Sequence, residues 1–226
     1  HVEDGARRPE ASQHAQATPI VAGVAEAARW PRLVEVMTDG SRLVHATWSR
    51  ATGDARRARE GEHGVAGPYL VLGPPAPWWD VEREIVRAQP FYRYVVHDAL
   101  AEAGCAARIP EQCLEWTELL ARCPTSLSET WYGGTTCHAW SATPTRDLVV
   151  LTLGISPAEP GFTVARVAPA LGPLAFARGA APTPSGLLRV DARPDRLEIE
   201  SPVPVEAEAF GRRPERLPAG THVLAP

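Results

Sequence analysis

At 226 residues, with 23 basic against 27 acidic side chains and a formal charge of −4, the chain has room for one large domain or two modest ones. That balance lacks the basic stripe a nucleic-acid binder needs, and no apolar run reaches the roughly 20 residues that span a bilayer, so neither nucleic acid nor membrane is an expected partner. Cys105, Cys113, Cys123 and Cys137 include no C-x-x-C pair, so idle thiols are expected, with no metal and no cofactor; if the thiols oxidise, three pairings are open.

The chain opens on His1 in a polar stretch that reads as the interior of something longer. No targeting segment is read there. The compartment is left open, with the cytoplasm preferred over secretion, and the oligomeric state is not legible.

In chain order, Ser12 is placed to cap a helix over residues 13–28, kinked at Pro19 because proline removes one backbone donor and crowds the preceding turn. Pro31 is a first-turn proline for a short helix over 32–37 that stops at Asp39-Gly40. Residues 49–68 carry Arg, Glu, Gly and Ala without apolar period and read as a solvated insertion; Leu70 to Leu72 read as a short buried piece, and Trp78 and Trp79 as rings packed against neighbouring helices, with a wall of a sugar cleft as the alternative. From Pro90, the three-four spacing of Tyr92, Val95, Val96, Ala99, Leu100 and Ala103 predicts a helix stopped by Gly104. A second helix is expected over 110–122, with Cys113, Leu114, Thr117, Leu120 and Ala121 inward, the two forming a hairpin. Thr143 and Pro144 are a cap and first-turn pair for a helix ended by Gly154. Beyond residue 156 the period changes to two, with short strands around 162–164, 174–176, 187–190, 197–199, 203–205 and 222–224, and turns at 170–173, 182–186 and 193–196. Arg189 and Asp191 read as a solvated strand face.

Residues 129–140, between the second hairpin helix and the helix at Thr143, string Glu129, Trp131, Tyr132, His138 and Trp140 along one turn-rich loop. Sugars offer apolar C–H faces to aromatic rings and hydroxyls to charged or imidazole partners, so this mixture suits a carbohydrate site. A packed crossing between helices would use the same rings, and composition alone does not choose between the two.

The series Ser12-Gln-His-Ala-Gln16, Pro90-Phe-Tyr-Arg-Tyr94, Ala99-Leu-Ala-Glu-Ala-Gly104, Ser126-Leu-Ser-Glu-Thr-Trp131, Cys137-His-Ala-Trp-Ser-Ala142 with Pro144, and Pro160-Gly-Phe162 resembles the C-terminal part of bacterial α-L-rhamnosidases of glycoside hydrolase family 78. The resemblance implies an α plus β multidomain chain. Residues 1–156 would be the C-terminal helices of a partial (α/α)6 six-hairpin barrel, and 157–226 a small antiparallel β-sandwich. It also implies inverting release of terminal α-L-rhamnose from a rhamnose-containing carbohydrate. Glu129 would be the general base, His138 would hold the sugar, and Trp131 and Trp140 would line its subsite. The general acid of the family lies upstream of the matched segments, so the 226 residues taken alone are expected to be inactive. A related barrel enzyme with another sugar, or a non-catalytic carbohydrate-binding module, are the alternative readings.

Overall fold

The structure, a computed structural model, describes residues 2–3, 6–7, 11–45, 80, 82–131 and 135–226. The 49–68 stretch, Leu70 to Leu72, Trp78, Trp79 and Tyr132 lie outside the described residues. The chain is a mixture of helices and sheets in two compact units, one of residues 1–103 with 115–143 and the other of 104–114 with 144–226. The boundary expected after residue 156 does not coincide with this division, because Leu153 and Ile155 pack into the core of the second unit.

In the first unit β1 (Val2–Glu3) and β2 (Ala6–Arg7) pair antiparallel. β3 (Ala11–Ser12), β4 (Leu43–Val44) and β5 (Ile85–Val86) form a parallel sheet in the order β3-β5-β4, which two-residue strands gave no period to predict. The Ser12 Oγ accepts from the Ala15 N–H at 3.1 Å and caps α1 (Gln13–Val21). The expected run to residue 28 is shorter in fact: Gly23 at φ 67° turns the chain, and the carbonyl of Pro19 accepts from the N–H groups of Val24 and Ala25. Pro19 thus sits in the final turns of a short helix rather than at a mid-helix kink.

α2 (Trp30–Thr38) carries its proline in the first turn and buries Val34 and Met37. A 3-10 turn at Pro90–Tyr92 leads into α3 (Arg93–Glu102), and Gly104 at φ 71° follows its end. Val96, Ala99 and Leu100 are buried as expected, but Arg93 and His97 share that face and are equally buried.

The helix expected over 110–122 is two helices, α4 (Ile109–Cys113) and α5 (Trp116–Arg122), which fall in different units, so the hairpin is not formed as a unit. The predicted inward face is also corrected. Leu114 and Leu120 are exposed, while Ile109, Pro110, Trp116 and Leu119 are buried. Glu115, at the break, keeps helical dihedrals and lies between the Arg87 and Arg93 guanidinium groups, and Trp116 after it is buried.

In the second unit α6 (Thr143–Asp147) continues into a π turn over Leu148–Thr152, where the Leu153 N–H donates to the Leu148 carbonyl. Thr143 lies within the helix, and its buried hydroxyl has no hydrogen-bond partner among the described residues, so it is not the expected cap. Gly154, at φ 77°, lies where an added Cβ would come within 2.1 Å of the Ala168 carbonyl oxygen.

Strands β6 (Ile155–Pro157), β7 (Ala165–Val167), β8 (Ala177–Thr183), β9 (Gly186–Arg193), β10 (Arg196–Ser201), β11 (Val205–Ala207), β12 (Glu215–Leu217) and β13 (Gly220–Leu224) make two four-stranded sheets, ordered β13-β10-β9-β8 and β12-β11-β7-β6. Alternate residues of both, including Leu188, Val190, Leu197 and Ile199 from one and Ile155, Val167, Val205 and Leu217 from the other, form one apolar core. The turns between β8 and β9 and between β9 and β10 fall where Pro and Gly predicted them. The expected all-antiparallel arrangement is modified in one place: β7 and β11 pair parallel. Arg189 is exposed as expected, whereas Asp191 is half-buried against Arg178 and Arg193.

Candidate functional site

The loop after α5 is drawn together at its base by backbone pairing. The His138 N–H donates to the Leu127 carbonyl and the Glu129 N–H to the Thr135 carbonyl, each at 2.9 Å, while the Ser126 hydroxyl donates to the Thr136 carbonyl. Two opposed stretches, 126–129 and 135–138, therefore form a narrow neck that holds Glu129 and His138 on neighbouring strands of backbone.

Across that neck Thr135 bridges the two. Its N–H and its hydroxyl both approach Glu129 Oε2 at 3.4 Å, and the same hydroxyl lies 3.3 Å from His138 Nδ1. A threonine hydroxyl has one proton. If that proton is turned to the carboxylate, His138 Nδ1 must be the donor to Thr135, and the neutral ring then presents Nε2 as an acceptor. Nε2 is buried and has no hydrogen-bond partner among the described residues, so the ring has an acceptor site in reserve. Thr135 was not singled out by sequence reasoning; its position six residues after Glu129 and three before His138 carries no periodic signal.

The two tryptophans have different situations. Trp140 is 62% exposed, in a 3-10 turn at Ala139–Ser141, with the Phe91 and Tyr94 rings 6.4 Å from its own. Phe91 also lies 5.8 Å from the His138 ring. Trp131 is fully buried. Its indole N–H donates to the Ala88 carbonyl at 2.8 Å, its backbone N–H to Gln89 Oε1 at 3.1 Å, and its carbonyl accepts from Arg122. The Trp116 ring meets it edge-on at 5.2 Å and the Arg87 guanidinium lies 4.4 Å from its centroid. Trp131 therefore has no face left for a sugar, and the expected stacking role is corrected to that of an anchor two residues from Glu129.

Behind this anchor lies a buried polar network that the sequence did not announce. Gln13, fully buried, donates through Nε2 to the Met37 carbonyl at 2.7 Å and accepts at Oε1 from the Ala88 N–H and from Arg93 Nη1. Arg93 Nη2 reaches Glu115 Oε1 at 3.1 Å, and Glu115 Oε2 meets Arg87 Nη2 at 2.5 Å. Arg87 Nη1 approaches His45 Nε2 at 2.5 Å. Burial, with the charges of Arg87, Arg122 and Arg93 in support, pushes the His45 imidazole down to about 3, so the ring is neutral and accepts from Arg87. The available signal was two arginines, at 87 and 93, bracketing an apolar segment, with Gln13 beside a helix cap.

No three of His, Cys, Asp or Glu among the described residues converge on a metal site. None of the four cysteines is in a disulfide.

The fold is similar to that of solved α-L-rhamnosidases. The GH78 family rhamnosidase of Bacillus sp. GL1 matches with a TM-score of 0.57 and 20% identity, over 83% of this chain and 17% of that one. The α-L-rhamnosidase from Aspergillus terreus matches with a TM-score of 0.62 and 14% identity, over 94% of this chain and 24% of that one. No family model and no curated protein matches the sequence. The chain thus spans about a fifth of each rhamnosidase, and the likeness is one of fold.

Proposed function

We propose that this chain forms the base-bearing side of a glycosidase site that takes a terminal α-L-rhamnosyl unit. The observation that supports this most is the Glu129–Thr135–His138 bridge set beside the exposed Trp140 ring. Glu129 is the general base, directed at a water on the face of the sugar opposite its leaving group. Thr135 orients the carboxylate, His138 holds Thr135 in place beside the sugar, and Trp140 offers its face to the sugar's C–H groups.

Inverting hydrolysis needs a second carboxyl, protonated, about 6.5–9.5 Å from the base. In this proposal that acid is supplied by residues outside the 226, which fits the small share of the rhamnosidase chains that this one spans. Taken alone, the chain binds sugar without turning it over, a behaviour that keeps a carbohydrate-binding role as the second reading.

A sugar panel read by tryptophan fluorescence tests the proposal. L-Rhamnose is expected to quench or shift the emission saturably, D-glucose and L-arabinose to do so at least tenfold more weakly, and an aryl α-L-rhamnoside to bind without release of its aryl group. A preference for another sugar would redirect the specificity, and turnover by the chain alone would remove the need for an outside acid.

A further inference from the structure

The aromatic side chains do not stop at Trp140. From the Glu129 end the rings succeed one another as His138, Phe91, Trp140, Tyr94, Tyr92 and His14, with centroid separations of 5.8, 6.4, 6.4, 6.4 and 4.3 Å. Three of these rings, Phe91, Tyr92 and Trp140, come from two short pieces of chain, the 3-10 turn that opens α3 and the one before α6, so the row depends on how those two turns meet.

Trp140 and Tyr94 lie at 26°, nearly parallel, but their 6.4 Å separation is an offset arrangement that leaves ring face uncovered. Trp140 is the most exposed large ring among the described residues, and an exposed tryptophan adjoining further half-buried rings is the kind of surface that takes a ligand.

The far end of the row is fixed. The Thr18 hydroxyl donates to the His14 carbonyl at 2.8 Å, which commits its only proton, so the Tyr92 hydroxyl, 2.6 Å away, donates to Thr18. Burial lowers the affinity of the His14 imidazole for a proton, and the neutral ring packs against Tyr92. Tyr92 is therefore held in one orientation before any ligand arrives, so less ordering is needed on binding.

We infer that Tyr94, with Tyr92 behind it, forms a second binding position that continues from Trp140 and takes the ring attached to the terminal sugar. The inference rests on the proposed rhamnose site for its direction along the row. The chemistry it selects is a flat or chair-shaped ring with an apolar face. A sugar residue and an aromatic aglycone both meet that description, and a terminal sugar capped by a methyl group does not.

The test compares three ligands on the whole 226-residue chain by calorimetry: methyl α-L-rhamnoside, a 4-nitrophenyl α-L-rhamnoside and a rhamnosyl-glucose disaccharide. Wild type is expected to favour one or both two-ring ligands over the methyl glycoside by about tenfold. Tyr94→Leu is expected to abolish that preference and leave methyl rhamnoside affinity unchanged, while Tyr94→Phe, which keeps the ring, retains the preference. Which two-ring ligand gains tells a sugar neighbour from an aromatic one. If methyl rhamnoside fails to bind but Tyr94→Leu still weakens the two-ring ligands, the rhamnose assignment falls and the second position stands. Equal affinity of wild type for all three, or equal weakening of all three by Tyr94→Leu with Tyr94→Phe no better, overturns the inference.

Discussion

Glu115→Gln removes one negative charge from between two guanidinium groups. Arg93 is completely buried and Glu115 and Arg87 keep only 19% and 12% of their side-chain surface, so water cannot replace the lost charge. Removing one partner of a buried pair costs about 3–5 kcal/mol, chiefly by leaving the other charge uncompensated. Two features move the expectation to the lower end. Arg93 keeps Gln13 Oε1 at 2.9 Å, and Arg87 keeps His45 and the Trp131 ring. The Arg87–Glu115 contact is also close in distance without a hydrogen bond aligned along it, so the substitution breaks no aligned hydrogen bond there. A loss of about 3 kcal/mol is a change of about 100-fold in the folded-to-unfolded ratio of the first unit. Urea denaturation followed by tryptophan fluorescence, which reports on Trp116 and Trp131 in that unit, measures it. A loss below about 1 kcal/mol would refute the description of Glu115 as the charge that holds both arginines.

Further outcomes follow from the same geometry. Above the ordinary imidazole value of 6.5 His45 is neutral both folded and unfolded; below it the unfolded chain takes up a proton that the folded one refuses until about pH 3. Stability should therefore be full above pH 6.5 and fall towards pH 3 by at most about 1.4 kcal/mol per pH unit from this group, and His45→Gln should flatten the pH dependence of the urea midpoint. Thr135→Val removes the hydroxyl between Glu129 and His138, so the nitrogen NMR shifts of His138 should lose their preference for a proton on Nδ1 while the circular dichroism spectrum stays unchanged. Trp131→Phe leaves the Ala88 carbonyl without its indole donor and thins the contact under Arg87, and thermal unfolding should show a loss of about 1–3 kcal/mol. Gly154→Ala drives a Cβ into the Ala168 backbone at a positive φ, and should destabilise the second unit by at least about 2 kcal/mol, seen in hydrogen exchange of β6 and β7.

Much of the local structure was legible because it rests on local chemistry. The Ser12 cap, the proline in the first turn of α2, the stop at Gly104 and the turns at 183–186 and 193–196 each follow from the residue types involved. What could not be read depends on contacts distant in sequence. Gln13 is polar and adjacent to a cap, so nothing local indicates that it will be sealed under Met37 and Ala88; Glu115 sits within the expected 110–122 helix, and nothing local indicates that Arg87 and Arg93 will both pair with it. The same holds at the site. Glu129 and His138 were singled out by composition, and the neck brings them within reach of one threonine. Trp131 and Trp140 look equivalent in the sequence, yet one is the fully enclosed anchor of the loop and the other its exposed ring, a difference set by Ala88, Gln89, Arg87 and Trp116.

The central claim is that Glu129, His138 and Trp140 act together on one sugar. Chemical-shift mapping of the 226-residue chain during titration with L-rhamnose tests it most directly, with Glu129→Gln run in parallel. The account predicts shifts that saturate together at the Trp140 indole N–H, the His138 ring and the Thr135 amide, and a weakened response in Glu129→Gln with the spectrum otherwise intact. Shifts that leave these three groups untouched while rhamnose binds elsewhere, or no saturable shift at any of them, would contradict it.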